Sequence, residues 1–355
     1  MGIKGNSPCL LITGVGGRSV GHQILYAVRL LGNKYRVIAV DADSFSFGLY
    51  QVDNRYLVPK ASDSDYLPAI LEIVEREGVD LLLPGTEPEV RVLVRHKTSL
   101  EKRGCLLIAN PAEVVSLCSH KGKMTEWLNQ HGFGVPRSGG PENWRDLVKQ
   151  VGFPLVVKPC TQTGGSRGVA ILNNTEEVAR YLEEASDETL FQEYISSPNE
   201  EYTVGVLIDR EGALIDSIVL RRKLIGLSLG LSRTFDNQTL TLSSGYSQGF
   251  IIQHPLVQQR CEALAQQIGA RGPLNIQCRL LDDEIKIFEV HPRFSGTTSI
   301  RAEVGFNEPE VLIQNALFGT SFGRLNYRKD VAAIRAFQHV IVPISDMDRI
   351  ERIPS

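Results

Sequence analysis

Short apolar runs alternate with amphipathic stretches over the first third of the chain. The apolar runs predict buried strands at residues 9–13, 35–40, 80–84 and 105–109. Apolar residues recur at helical spacing at 19–31 and 65–77, and a glycine follows each stretch as a helix stop. Strands that alternate with helices form parallel sheets through right-handed crossovers. We therefore expect a doubly wound α/β domain over residues 1–115.

The pattern changes beyond residue 115, where strands follow one another at hairpin spacing. Strands are predicted at 153–158, 189–195, 201–208, 213–223, 275–281 and 285–290. Helices are predicted at 121–131, 175–185 and 254–269. This part of the chain is therefore expected to be α+β, with antiparallel sheets. Residues 226–249 are rich in Ser, Gly and Thr and are expected to form a mobile loop over a site.

The composition of the 355-residue chain argues against several classes of protein. With 42% hydrophobic and 22% charged residues, it can bury a core and is too apolar for intrinsic disorder. A formal net charge of -3 argues against binding nucleic acid through its phosphates. No apolar run approaches the roughly 20 residues that cross a bilayer, and no signal-peptide pattern opens the chain. The six cysteines include no Cys-x-x-Cys pair, so we expect buried reduced thiols in a cytoplasmic protein without a membrane partner.

A glycine-rich turn follows the first predicted strand. Gly14, Gly16 and Gly17, with Asp41 after the second strand, match part of a dinucleotide-binding pattern. Ser19 stands where that pattern has its third glycine, so the match is weak. We expect a tight strand-to-helix turn without a bound dinucleotide.

The segment 275–295 carries the most informative polar pattern. As a hairpin with the three-residue loop 282–284, it places Gln277 opposite Glu289 and Asn275 opposite His291. Because strand side chains alternate between faces, one face carries Asn275, Gln277, Arg279, Glu289 and His291, and the other Ile276, Cys278, Leu280, Phe288 and Val290. Mg²⁺ prefers such oxygen ligands together with substrate phosphates, and Arg293 on the same parity could stabilise developing charge. An ordinary amphipathic hairpin with a solvated polar face remains the alternative.

Two further segments carry candidate phosphate and base contacts. Lys158 ends a predicted buried strand, and a glycine-rich run at 161–168 follows it. Backbone amides of such a loop can surround phosphates, although no Gly-Lys-[Ser/Thr] ends it and a plain hairpin turn is the alternative. Gln192 and Glu193 interrupt an apolar strand, and Glu201 opens the next one.

In this order the motifs resemble the ATP-grasp family over residues 116–325. The matching segments are the lysine at the entry helix, Pro-x-x-x-Lys-Pro, the glycine loop, Gln-Glu-Tyr-Ile, Glu-Tyr-Thr-Val and Glu-Val-His-Pro-Arg-Phe-Ser-Gly. The resemblance is greatest to the carbamoyl-phosphate-synthase-like type, which includes carboxylate–amine ligases. It implies a Rossmann-like pre-ATP-grasp domain at 1–115, a small lid subdomain at 116–190 and a C-terminal subdomain at 191–355.

The resemblance also implies roles for individual residues. For ATP it implies phosphate contacts from Lys121 and Lys158, a phosphate loop at Gly164, Gly165 and Ser166, an adenine hinge at Gln192, Glu193, Tyr194 and Ile195, and a ribose contact from Glu201. For two Mg²⁺ ions it implies Gln277, Glu289 and His291, with Arg293 and Lys158 as catalytic residues. The family usually has Asn at the position of His291. An imidazole is a softer ligand than an amide oxygen, so His291 would suit Mn²⁺ better than Mg²⁺ or would only hydrogen-bond.

The resemblance implies the chemistry of acyl phosphates. A carboxylate would attack the γ-phosphate of ATP, an amine would then displace phosphate, and ADP and phosphate would be released. We expect a small amino-acid-like substrate and, by analogy, a homodimer. The candidate substrate residues are Arg221, Lys223, Ser295, Gly296, Thr297 and Glu87. A kinase acting on bicarbonate or carbamate and a non-catalytic ATP-binding regulatory protein are the alternatives.

Overall fold

The first sheet of the computed structural model, which describes residues 7–161, 168–185, 188–196 and 200–354, is wholly parallel. Its order is β3-β2-β1-β4-β5. The strands are β1 Cys9–Thr13, β2 Arg36–Asp41, β3 Asn54–Leu57, β4 Leu81–Leu83 and β5 Leu106–Leu107. The helices of this region are α1 Val20–Arg29, α2 Tyr66–Glu77, α3 Glu87–Arg95, α4 Lys97–Glu101 and α5 Ala112–Cys118. The predicted α/β domain is confirmed, and the short elements β3, α3, α4 and α5 are additions to the predicted set.

The glycine-rich turn after β1 is explained by close packing. All five residues of β1 are buried, and the Ser19 hydroxyl caps α1 by accepting a hydrogen bond from the His22 amide at 3.1 Å. A Cβ atom on Gly21 would lie 2.2 Å from the carbonyl oxygen of Thr13, and one on Gly85 would lie 2.0 Å from the same oxygen. Glycine at these two positions therefore lets α1 and the chain after β4 pack directly against the end of β1.

A smaller antiparallel sheet follows. It has the order β6-β9-β7-β8 and consists of β6 Ser138–Gly139, β7 Leu155–Pro159, β8 Ala170–Leu172 and β9 Thr189–Glu193. Two helices pack against it, α7 Trp144–Val151 and α8 Thr175–Glu184. The preceding helix, α6 Lys121–Gln130, places Met124 and Leu128 in a core with strands of the largest sheet. Trp144, Leu147 and Phe191 form part of its core. The predicted domain boundary at residue 190 falls inside β9.

The largest sheet is antiparallel and has the order β16-β15-β10-β11-β14-β17. Its strands are β10 Glu201–Ile208, β11 Leu214–Arg222, β14 Gly249–Ile252, β15 Pro273–Leu281, β16 Glu284–His291 and β17 Val331–Ala333. The helices after β11 are α9 Pro255–Gln267, α10 Thr298–Glu303, α11 Glu308–Phe318 and α12 Ile344–Asp348. The predicted α+β fold with antiparallel sheets is confirmed. No helix in the described part of the chain is both long and apolar enough to cross a bilayer.

The prediction of a loop over residues 226–249 is wrong. The segment contains a hairpin of β12 Leu229–Phe235 and β13 Gln238–Ser243. Asp236 and Asn237, which form its turn, have φ values of 46° and 62°. These left-handed conformations are those required by a two-residue hairpin turn. Alternating Leu and polar residues on both strands pair across this turn instead of remaining irregular.

The β15–β16 hairpin has a different turn from the predicted one but the predicted register at its far end. Its turn is two residues long, with Asp282 and Asp283 at φ values of 49° and 62°, and Leu281 pairs with Glu284. A β-bulge between Gln277 and Cys278 absorbs one extra residue of β16, Phe288. Beyond the bulge Gln277 pairs with Glu289, and Asn275 with His291, as predicted. The prediction that Phe288 shares the buried face with Val290 is wrong, because the bulge leaves Phe288 only half-buried and outside the core that contains Ile287 and Val290.

The C-terminal residues return to the first sheet. The Leu57 amide donates to the Glu351 carbonyl oxygen at 2.8 Å, and the Ile353 amide donates to the Leu57 carbonyl oxygen at 2.8 Å. Ile353 is buried in the core of the first sheet. A second core joins Leu10 of β1 to Leu207 of β10 and to Phe306. The first sheet and the largest sheet therefore share buried apolar surface.

Candidate active site

A cavity of about 1110 Å³ is lined by all parts of the fold. The first domain contributes the turn around Arg18 and the start of α3 at Glu87. The small sheet contributes Lys158 and the end of β9, and the β12–β13 hairpin covers one side. From the largest sheet and the chain that follows it come Glu201, Arg222, Gln277, Arg279, Glu289, His291, Arg293, Ser295 and Gly296.

One end of the cavity has apolar walls and a polar strand end. Met124, Leu128, Val156, Val169, Leu229, Leu231 and Leu242 line this end together with residues 192–195. The Glu193 amide donates to the Arg137 carbonyl oxygen at 2.8 Å, and the Glu193 carboxylate accepts from the Arg137 amide at 3.2 Å. The buried Gln192 Nε2 has no hydrogen-bond partner among the described residues. A flat heterocycle would find apolar walls here and a free amide donor.

Two lysines and a carboxylate occupy the middle of the cavity. Lys158 is 6% exposed, and its Nζ donates to the Phe288 carbonyl oxygen at 2.9 Å. Burial lowers the pKa of Lys158 to about 8, although the Glu289 charge opposes this shift. Burial would raise the pKa of Glu289, but the positive charges of His291, Lys158 and Lys121 outweigh it and hold that pKa well below its usual range. The site therefore holds an ionised carboxylate beside two cations.

A chain of charged contacts runs from Glu289 to the first domain. His291 Nε2 lies 3.3 Å from Glu289 Oε2, and His291 Nδ1 lies 3.8 Å from Glu87 Oε2. Arg293 Nη2 lies 3.7 Å from the same Glu87 oxygen. Burial disfavours ionisation of Glu87, but its hydrogen bond to His291 and the Arg293 charge lower its pKa to about 2. Burial likewise disfavours charge on His291, yet the Glu289 charge raises its pKa.

The donors around Glu289 fit a divalent cation that is shared with phosphates. The described residues contain no group of three or more His, Cys, Asp or Glu side chains arranged to hold a metal ion on their own. Glu289 nevertheless offers an ionised carboxylate, and Gln277, its cross-strand partner, offers an amide oxygen. Mg²⁺ is usually bound by one or two carboxylates together with phosphate oxygens and water. The residues present therefore fit Mg²⁺ held between Glu289 and a bound phosphate chain.

A buried ion-pair cluster lies beside the apolar end. Glu201 is 1% exposed, and its Oε2 is 2.7 Å from Arg279 Nη2. Arg222, 3% exposed, approaches Glu201 Oε1 at 3.4 Å and donates to Gln277 Oε1 at 3.1 Å. Burial would raise the pKa of Glu201, but the Arg222 and Arg279 charges lower it. Glu201 lines the cavity between these two arginines, where its ionised carboxylate can accept from a ligand hydroxyl.

Three family models match successive parts of the chain. They are the PylC-like N-terminal domain at residues 10–108, the ATP-binding domain of the carbamoyl-phosphate synthase L chain at 121–223, and an ATP-grasp model from a biosynthetic pathway with the Ter operon at 185–340. The last two together span residues 121–340, which include every lining residue from Lys121 onwards. The chain matches an ATP-grasp family model over residues 185–340. The predicted resemblance is confirmed.

Curated relatives within this family are longer proteins. The large chain of carbamoyl phosphate synthase from Clostridium beijerinckii is 23% identical, over 98% of this chain and 32% of its own length. The corresponding protein from Renibacterium salmoninarum is 24% identical, over 82% of this chain and 27% of its own length. The chain thus spans about a third of the length of these relatives.

Solved ATP-grasp structures share the fold at low sequence identity. The ADP complex of the N5-carboxyaminoimidazole ribonucleotide synthetase purK superposes with a TM-score of 0.65 at 18% identity, over 90% of this chain and 79% of that one. An L-amino acid ligase from Bacillus licheniformis superposes with a TM-score of 0.64 at 18% sequence identity, over 89% of this chain and 75% of that one. A third structure is the biotin carboxylase domain dimer of 2-oxoglutarate carboxylase from Hydrogenobacter thermophilus, in complex with MgADP, ADP and bicarbonate. It superposes with a TM-score of 0.63 at 18% sequence identity, over 91% of this chain and 71% of that one.

Most of the residues that the ATP-grasp resemblance implied lie around the one cavity. The candidate site residues that line it, including the substrate candidates Ser295, Gly296 and Glu87, are Lys121, Lys158, Gln192, Glu193, Tyr194, Ile195, Glu201, Gln277, Glu289, His291, Arg293, Ser295, Gly296 and Glu87. Gly164, Gly165 and Ser166 lie outside the described residues. Two hinge atoms have internal partners, because the Ile195 carbonyl oxygen accepts from Arg279 and the Tyr194 hydroxyl accepts from the Thr241 amide at 2.9 Å.

The cation that β11 directs into the cavity is Arg222. Arg221, its neighbour, faces the other side of the sheet and packs over the Phe250 ring at 5.4 Å, and Lys223 is exposed. Neither of them lines the cavity. Sequence reasoning does not choose between Arg221 and Arg222, because the residue of β11 that faces Glu201 depends on the register of β10 with β11. The pairing of Tyr202 with Arg221 then leaves Arg222 beside Glu201.

The segment after Arg293 forms its own hydrogen-bonded turn. The Ser295 hydroxyl accepts from the Thr297 amide at 3.0 Å, and the two hydroxyls of Ser295 and Thr297 lie 2.7 Å apart. Thr297 does not line the cavity. A Cβ on Gly296 would lie 2.9 Å from the Gly245 carbonyl oxygen. Gly296 therefore allows the chain after the β12–β13 hairpin to approach the cavity closely.

Proposed function

We propose that the protein is an ATP-dependent carboxylate–amine ligase that acts on a small amino-acid-like acid through an acyl phosphate. The observation that supports this most is the order of groups along one cavity. Gln192 pairs with Val156, two residues before Lys158. The charges of Lys158 and Lys121 act on Glu289, and His291 links Glu289 to Arg293. This order suits an adenine, a phosphate chain and a reacting carboxylate.

Each residue has a defined part in this proposal. Lys121 and Lys158 bind phosphate oxygens, and Glu201 accepts from a ribose hydroxyl. Mg²⁺ on Glu289 would neutralise charge on the phosphates. Arg293, fixed through Glu87 and the Phe294 carbonyl oxygen at 2.9 Å, orients the carboxylate and stabilises charge on the transferred phosphoryl group. Rate enhancement then comes from positioning and electrostatics, without a covalent enzyme intermediate.

Hydroxylamine trapping tests the proposal. The carboxylate attacks the γ-phosphorus and ADP leaves; hydroxylamine then attacks the acyl carbon, giving a hydroxamate, phosphate and a proton. We expect hydroxamate and ADP in equal amounts with some member of an amino-acid panel, and none without the acid. ATP binding without ADP formation for any acid would contradict the proposal and favour a non-catalytic regulatory protein.

A second candidate is a kinase of bicarbonate or carbamate. The family model at residues 121–223 and the curated relatives, which are carbamoyl phosphate synthase large chains, favour it. ADP formation that requires bicarbonate and needs no amino acid would select this candidate.

We also propose two Mg²⁺ ions per site, with Mn²⁺ as the substitute that His291 would favour, and a homodimer. Equilibrium titration of the metal in the presence of an ATP analogue counts the ions. Sedimentation equilibrium decides the oligomeric state.

A further inference from the structure

The end of the cavity away from the apolar slot carries two arginines around one tyrosine. Arg18, from the glycine-rich turn of the first domain, places its guanidinium carbon 5.8 Å from the centre of the Tyr246 ring. Arg335, from the segment after β17, lies 4.6 Å from the same ring centre. Arg18 and Tyr246 both line the cavity. Two cations are thus held against one aromatic ring at the cavity wall.

Hydrogen bonds to neutral groups hold the Arg335 side chain against the Tyr246 ring. Its guanidinium donates to Gln23 Oε1 at 3.3 Å and to the Gly296 carbonyl oxygen, while its Nε has no partner among the described residues. Burial lowers the pKa of Arg335, and Tyr246 only partly opposes this. Its neutral partners leave its charge uncompensated, so it adds positive potential and holds Tyr246 in place.

Among the described residues, Arg335 contacts Gln23, Gly296 and Tyr246, and Arg18 contacts Tyr246; none of these partners is acidic. Glu87 is the acid at this end of the cavity, and it is already engaged by Arg293 and His291. Arg18 is exposed and can therefore turn towards a ligand. Guanidinium groups recognise carboxylates and phosphates through paired hydrogen bonds.

We propose that this end of the cavity binds an acidic group of the substrate other than the carboxylate that reacts. The preferred acid then carries a second carboxylate or a phosphate, which Arg18 binds directly while Arg335 acts as a positioning residue. The inference rests on the proposed ligase function and names its substrate class. Arg293, between the phosphate-binding lysines and Arg18, would hold the reacting carboxylate.

Matched pairs of acids test this inference. Hydroxamate formation by the full chain with ATP, Mg²⁺ and hydroxylamine is measured for aspartate against asparagine, glutamate against glutamine, and phosphoserine against serine. We expect the acidic member of at least one pair to have a KM lower by about tenfold or more. The phosphoserine pair distinguishes a phosphate from a second carboxylate as the bound group.

Variants connect the preference to the arginines. Arg18→Gln should raise the KM of the acidic member by about tenfold or more and leave that of its neutral partner unchanged. Arg335→Gln should weaken the preference for the acidic member of the pair, whereas Arg335→Lys, which keeps the positive charge, should retain it. Arg95→Gln, an exposed position at the end of α3 outside the cavity lining, is the matched control and should change neither KM.

The outcomes separate this inference from the proposed function. Equal KM values within every pair, or an Arg18→Gln variant with unchanged KM values, would overturn the inference and leave the ligase proposal standing. Failure of every acid to give hydroxamate would overturn both.

Discussion

The two ends of the cavity differ in whether their charged side chains are paired with an opposite charge. At the nucleotide end Glu201 lies between Arg222 and Arg279, and Glu289 lies beside Lys158. At the other end Arg18 and Arg335 contact an aromatic ring and no carboxylate. Paired buried charges hold a site rigid before any ligand arrives, whereas cations without an ion-pair partner remain available to an acidic ligand. The first end is therefore suited to a constant ligand, and the second end to selecting among acids.

The largest expected effect on ligation comes from replacing the carboxylate of Glu289 at the nucleotide end of the cavity. Glu289→Gln should reduce ligation by roughly a thousandfold or more, because it removes the metal-binding charge and leaves Lys158 uncompensated. His291→Asn, which restores the residue usual in the family, is the matched control and should remain active. Turnover is measured as ADP release, with thermal unfolding to verify folding. A fully active Glu289→Gln variant would remove Glu289 from the mechanism.

Adjacent arginines on β11 give the next test. Arg222→Gln should raise the KM for ATP by about tenfold or more, since Arg222 holds both Glu201 and Gln277. Arg221→Gln, one residue away on the opposite face, should leave it unchanged. Equal effects of the two substitutions on the KM for ATP would contradict the assignment of Arg222 to the site.

A smaller effect is expected from pH. Because burial lowers the pKa of Lys158 to about 8, its charge is present below that pH and is lost as the pH rises through it. The Kd for ATP should therefore rise by about tenfold between pH 7 and pH 9.5. Lys158→Arg should flatten this dependence, because arginine stays protonated. Calorimetric titration measures the Kd, and a flat profile for the unmodified protein would contradict the role of Lys158.

The last expected effect is on stability and leaves ligation unchanged. Burial raises the pKa of Glu89 to about 7, and its carboxylate accepts from the Thr86 hydroxyl at 2.7 Å. A carboxyl whose folded pKa lies above its unfolded value stabilises the fold most at low pH. This stabilisation, at most about 3 kcal/mol, is lost as the pH rises from about 4.5 through 7. Urea unfolding between pH 4.5 and pH 8 should show this loss, and Glu89→Gln should remove it. The same slope in the variant would exclude Glu89 as its source.

Prediction from sequence worked where one pattern dominated. The apolar run of β1 and the opposed pair Gln277 and Glu289 were both anticipated correctly. In the β15–β16 hairpin, however, the turn is one residue shorter than predicted and the bulge adds one residue to β16, so the two differences cancel. Ile285 and Ile287 are buried, and the next buried residue is Val290, so the phase shifts by one residue at Phe288. Because Phe288 is itself apolar, the sequence pattern does not reveal the bulge.

Other features depended on contacts between distant segments. The pairing of β10 with β11 decides whether Arg221 or Arg222 faces the cavity. This pairing includes an irregularity at Leu207 that no local pattern predicts. The contact of Ile353 with Leu57 joins residues nearly 300 positions apart. The hairpin at 229–243 did have a local signal, alternating Leu residues around Asp236 and Asn237, but its polar composition suggested a loop.

A crystal structure with a non-hydrolysable ATP analogue and Mg²⁺ is the most direct test of the proposed site. We expect the base beside Gln192, the triphosphate between Lys121, Lys158 and a metal on Glu289, and the γ-phosphate facing Arg293. A nucleotide bound elsewhere, or a triphosphate that avoids Lys158 and Glu289, would contradict it.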